Sequence, residues 1–252
     1  MTQVSTTYAV DDAPWHEPFV WLKLGWQDFT DNPRPGLLHG GAMAFFGLML
    51  FWWAHDQFWF LVGAMSGFLI VAPLLATSLY AVSKRHHEGG RLACHEVIGV
   101  WLTIDKRLIG FGVLLALAGT GWVLSSAGLI TAMTPVPVQK PVDFLRVVVA
   151  QNGVGLFELW LVMGAFLAAP MFASSVITLP MLVDTRASVY EAVTTSWRVV
   201  AANPVAMAVW AMLIAGMTLM GMVLGMLGLV LTVPVLGHAS WHAYRRLCRI
   251  EG

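Results

Sequence analysis

His238 and His242 stand four residues apart near the end of the last apolar run. On a helix that spacing puts both imidazoles on one face, one turn apart, as a helix presents two ligands to a metal. His39, early in the first apolar run, is expected at similar depth, and Asp184, Glu96 or His95 would complete a shell. The same side chains suit the membrane interface, where His, Trp241 and Tyr244 hydrogen-bond to backbone and headgroups. Two histidines on one helix cannot sit on opposite faces of an iron, which argues against bis-His haem. The strings HEPFV and HEVIG lack the second histidine of HExxH.

Glu158 lies early in the fourth apolar run. An ionisable group within a membrane is costly, so it is a candidate for a proton relay, unless it snorkels outward or bonds a neighbouring helix. Lys84, Arg85, Arg245 and Arg246 close two other apolar runs. They serve as orienting charge, with anionic headgroup binding as the alternative. Met207, Met212, Met217, Met220, Met222 and Met226 do not converge on one face, so adaptable packing explains them better than a copper site. No phosphate-binding glycine loop, no GxSxG and no usefully spaced carboxylate pair occurs. Catalysis is not expected, an intramembrane lipid-modifying site being the exception left open. Nor is a nucleic-acid partner expected.

These residues must be positioned in a very apolar chain. Hydrophobic residues make up 58% and charged residues 11%, with mean hydropathy +0.73. Soluble domains carry about 25% charge. The class that follows is an all-α polytopic membrane protein. Cys94 and Cys248 form no CxxC, and neither a disulfide nor a thiolate site is expected. Residues 1–14 read as a polar, partly disordered tail without the pattern of a signal peptide. Residues 15–252 read as a single membrane domain.

Trp15, Phe19, Leu22, Trp26 and Phe29 form one helical stripe opposite a polar face, which suits a helix lying in the headgroup region. Asn32-Pro33 breaks it. Spans are expected at Leu37–Trp53, Phe58–Ser83 (kinked at Pro73) and Leu108–Met133. A fourth follows at Leu156–Val183, crossing Pro170 and Pro180. Leu92–Ile104 and Ser188–Pro204 are further amphipathic segments, and Phe144–Ala150 is a short surface helix. The run Val205–Leu236 is far longer than one bilayer crossing needs, about 20 residues. A turn near Gly221–Gly228 would divide it into a fifth and a sixth span. Six spans leave twelve of the fourteen Lys and Arg on one side, with only Lys140 and Arg146 on the other. The positive-inside rule then puts both termini in the cytoplasm of a bacterial inner membrane.

Gly67–Arg85, Gly164–Arg186 and Gly228–Arg246 each run from glycine through proline to a charged exit. They suggest three tandem hairpins, each preceded by an interfacial helix, in units of about 15–91, 92–186 and 187–250. PLLATSLYAVSKR, ITLPMLVDTR and VPVLGHASWHAYRRL, with GWQDF and ANPVAMAVWAMLIA, resemble the bacterial family catalogued as Domain of Unknown Function 2189. That resemblance implies an integral inner-membrane protein and supplies no catalytic residue. Three roles are expected in order. The first is a non-catalytic accessory or assembly subunit of a larger, energy-transducing membrane complex, partnered by other subunits and lipid. The second is a transporter or lipid-handling protein using Glu158. The third is a metal- or haem-binding redox protein around His238, His242 and His39, although no cofactor is expected outright.

Overall fold

The computed structural model describes residues 7–54, 56–64, 67, 76–102, 105–150 and 155–251. Within them the chain is helical apart from one small two-stranded sheet. Pro33 starts helix α2 (Pro33–Ala54) directly after α1 (Glu17–Asp31), because proline fits the first turn of a helix but ends the one before it. Residues 58–64 are helical, and α3 follows at Thr77–His87. Pro73, where a kink was expected, lies outside the described residues, as does much of the second expected span.

Next come α4 (Cys94–Leu102) and α5 (Lys106–Met133), the latter capped by Asp105, whose side chain accepts from the Arg107 amide. A short turn, α6 (Pro141–Phe144), runs into a π-helical turn at Leu145–Val149. The fourth expected span is α7 (Leu156–Ser175) and α8 (Thr178–Asp184), separated at Val176–Ile177. Ser188 and Glu191 form a capping box that starts α9 (Val189–Ala202). Pro204 opens α10 (Pro204–Val223), and residues 224–228 turn the chain into α11 (Leu229–Leu247). The long apolar run is therefore divided where its glycines cluster.

Four helical stretches among the described residues are long and apolar enough to cross a membrane: Pro33–Ala54, Lys106–Met133, Leu156–Asp184 and Pro204–Val223. α11 is not among them, because its second half carries His238, Ser240, His242, Arg245 and Arg246. The least apolar of the long helices is the central one. It packs against α1, α2, α3, α8 and α10 and buries Leu229, Pro234, His238, Trp241 and Tyr244 among others. Gly25 and Gly40 make this possible. A Cβ on Gly25 would lie 2.6 Å from the Ala239 amide nitrogen, and one on Gly40 would overlap the Val230 carbonyl. By contrast α2, α5, α7 and α10 leave large apolar side chains uncovered, Trp52 and Phe166 being 78% and 77% exposed. On a helix long enough to span, such surface belongs against lipid.

Two local expectations change. Residues 7–10 form a strand, β1 (Thr7–Val10), paired antiparallel with β2 (Cys248–Glu251), so part of the expected tail is ordered against the far end of the chain. On α1, the aromatic stripe of Trp15, Phe19 and Trp26 is largely exposed. The polar face expected across from it is exposed at Lys23 and Gln27, whereas a third face, Trp21, Gly25 and Asp28 together with Phe29 of the stripe itself, is buried. α1 thus has two apolar faces, one on α11 and one outward, and Asp28 stays inside because partners meet it there.

Candidate functional site

Asp28 is the hub of a buried polar knot joining α1, α3 and α11. Ser83 donates to its Oδ2 at 2.5 Å, and the Nε2 of His242 lies 2.9 Å from the same oxygen. A carboxylate only accepts, so His242 must carry its proton on Nε2 there. Ser83 spends its single proton on Asp28, so His238 donates from Nδ1 to the Ser83 hydroxyl at 2.7 Å. His86 approaches from α3, 4.0 Å from Asp28 Oδ1 and 3.5 Å from Asp31. Burial pulls the Asp28 carboxyl upward, but the hydrogen bonds from His242 and Ser83 outweigh it and hold the group below the ordinary aspartate value. The Nε2 of His238 is buried and has no hydrogen-bond partner among the described residues.

The structure therefore brings His238 and His242 together, on one face as their spacing dictates. Their nearest partners are Ser83 and Asp28, and His39 sits one helix away with its Nε2 3.2 Å from Ser78. Asp184 is engaged elsewhere, Glu96 caps the Ala93 amide, and His95 is exposed. Among the described residues no three His, Cys, Asp or Glu side chains are grouped so as to hold a metal ion. The order Asp–Ser–His also differs from a catalytic triad. There the histidine lies between acid and serine and takes the serine proton; here the serine lies in the middle and gives its proton to the acid.

The basic residues at the helix ends are paired. Lys84 lies 2.8 Å and Arg245 3.4 Å from Asp184, which also accepts from the Tyr244 hydroxyl at 2.9 Å. Arg246 meets Glu17 at 3.2 Å, and Arg85 meets Glu88 at 3.6 Å. Arg107 donates to Asp105 and to the carbonyls of Leu182, Thr185 and Ala187, fastening the start of α5 to the end of α8. Glu158 is exposed in the first turn of α7, where a negative charge complements the helix dipole.

A second feature lies on the other side of α11. A cavity of about 510 Å³ opens between α7, α8, α10 and α11, with Met43 of α2 and Tyr80 of α3 closing its inner wall. Its walls include Phe172, Leu179, Ile214, Met222 and Val233, and its polar groups are the hydroxyls of Tyr80, Ser175, Thr218 and Ser240. The size is that of pockets that hold small organic molecules. Sequence reasoning missed both Asp28 and this cavity. Trp21, Gly25 and Asp28 do share a helical face, and a glycine between a tryptophan and an aspartate on one face signals a close neighbour.

A bundle of apolar helices with uncovered apolar flanks and paired charges at the helix ends defines an α-helical integral membrane protein. The chain belongs to the family described as predicted integral membrane protein (DUF2189), whose model matches residues 59–184. Ser83, His86 and Tyr80 fall within the matched half, whereas Asp28, His238 and His242 fall outside it. No curated protein and no solved structure matches the chain.

Proposed function

We propose that this protein is a lipid-handling protein of a bacterial inner membrane, built from six spans with both termini in the cytoplasm, that holds a membrane lipid in the cavity beside α11. The observation that carries this reading is the apolar cavity itself, about 510 Å³, walled by helices whose outer faces suit lipid. A protein conducting a polar solute would need a polar path, and the walls here are apolar. The pairing of residues 7–10 with 248–251 supports an even number of crossings, because it puts the two ends of the described chain on one side. The segregation of Lys and Arg supports that side as the cytoplasm. The tandem three-hairpin arrangement fits the order amphipathic helix then long helix at α1–α2, α4–α5 and α9–α10.

An accessory subunit of an energy-transducing complex is set behind this reading, since among the described residues nothing separates a protein-facing patch from lipid-facing surface. The test is purification in a gentle detergent followed by mass spectrometry of retained lipids. Wild type is expected to keep a lipid that Thr218→Trp and Ser175→Trp, which fill the cavity from facing walls, both lose. A folded wild type that retains none overturns the proposal. Metal and absorbance analysis of the same sample tests the redox alternative around His238 and His242.

A further inference from the structure

Resting on that reading, we infer that the cavity selects an uncharged membrane lipid whose hydroxyl or carbonyl head sits at Tyr80 and Ser240, and that it enters sideways between α7 and α10. Five observations meet here. Among the described residues no charged side chain lines the cavity. An ionic headgroup drawn into such a site loses its hydration without gaining a counter-ion, which costs several kcal/mol even after relaxation. The cations closest along α3 and α11, Lys84 and Arg245, are already paired with Asp184.

The polar groups are placed for a small neutral head. Tyr80 is buried at one end of the cavity, where Ser240 also lines the wall and donates its hydroxyl proton to the Leu236 carbonyl at 2.7 Å. Both are uncharged: the Ser240 oxygen, its proton spent, can accept from a hydroxyl, and the Tyr80 hydroxyl can donate to a carbonyl or a hydroxyl. From Leu229 to Ser240, both lining residues, α11 rises about 16 Å at ~1.5 Å per residue. One leaflet of a hydrocarbon core about 30 Å thick is about 15 Å deep. The cavity therefore runs one leaflet's depth from its hydroxyl pair, which is the extent of one acyl chain. Ala215 and Leu219, one turn apart on α10, line the cavity and are also exposed. At that flank the cavity meets the lipid, so the ligand need not cross water.

The experiment places the full protein in phosphatidylcholine nanodiscs doped with a diacylglycerol bearing a photoreactive group on one acyl chain. A parallel sample carries phosphatidic acid with the same chains, so the probes differ only in the phosphate. Labelling is mapped by peptide. The expected result is labelling of residues 172–179 and 214–222 by diacylglycerol, about tenfold above phosphatidic acid. Ser240→Ala is expected to lower it about fivefold, the loss of one hydrogen bond, and Tyr80→Phe to do the same. Equal or greater labelling by phosphatidic acid overturns the neutral-lipid inference and leaves the lipid-handling reading standing. Full labelling in both variants overturns the placement of the head. If neither probe labels these walls while the protein is folded, the inference and the reading beneath it both fall.

Discussion

The two sides of α11 use the same kind of residue for opposite ends. On the side facing α1 and α3, every hydroxyl, imidazole and carboxyl named in the knot except the His238 Nε2 is spent on another: Ser83 on Asp28, His238 on Ser83, His242 on Asp28. On the side facing α7 and α10, Ser175 and Thr218 stand in an apolar wall around open space, the Ser175 hydroxyl turned back onto the Met171 carbonyl of its own helix and tying no other element. The knot is a fastening, because buried polar groups that satisfy one another specify a single arrangement and punish any other. The cavity does the reverse. It forgoes packing that a few larger side chains could supply, and a protein keeps such space at a cost unless something occupies it. One helix can serve both only because its two faces differ, with His238 and His242 on one and Gly237 and Ser240 on the other.

If that division is right, damage to the knot should fall on stability and damage to the cavity on binding. The largest effect is expected for Asp28→Ala. It strips an acceptor shared by Ser83 and His242 and leaves both buried, at a cost of about 3 kcal/mol. Chemical unfolding in detergent measures it, and a change under about 0.5 kcal/mol would show that the knot fastens nothing. Gly25→Ala comes next, at about 2 kcal/mol, because the new methyl meets the α11 backbone rather than a side chain that can move aside.

Acid should produce a smaller, graded loss. The folded-state carboxyl of Asp28 titrates below its unfolded value, so its contribution is complete above the ordinary aspartate pKa and disappears as pH falls through the depressed one. Thermal unfolding followed from pH 7 downward should weaken below about pH 4, and Asp28→Asn should flatten that limb. The smallest effect on stability is expected for Thr218→Trp, within about 0.5 kcal/mol, although it abolishes lipid retention. A large destabilisation there would mean that the cavity is packing in need of its own shape, and would erase the contrast between the two faces.

Much of the fold was legible from periodicity and punctuation. Asn32-Pro33 does divide two helices and the long apolar run does turn at residues 224–228, and the Ser188 cap and the break at Asn203-Pro204 are of the same local kind. These are local effects, decided by φ restriction, a side-chain cap and glycine within a few residues. The site was legible only in part. His238 and His242 share a face because a helix has 3.6 residues per turn, and that much needs no partner.

What they meet was another matter. Asp28 reaches His242 across 214 positions and His238 reaches Ser83 across 155. Gly25 between Trp21 and Asp28 signals a close neighbour on that face of α1, but nothing in the pattern says which helix it is or that Phe19 and Trp26 face out. Lys84 and Arg245 likewise read as orienting charges until Asp184 is seen between them. The sequence by itself determined that this chain lives in a membrane, roughly where four of its apolar helical stretches lie, and which residues share a face. The tertiary structure alone decided which faces meet, made a fastening of Asp28 and left a space beside α11. Periodicity carries the direction a side chain points along one helix, whereas contact and cavity depend on how separate helices are brought together.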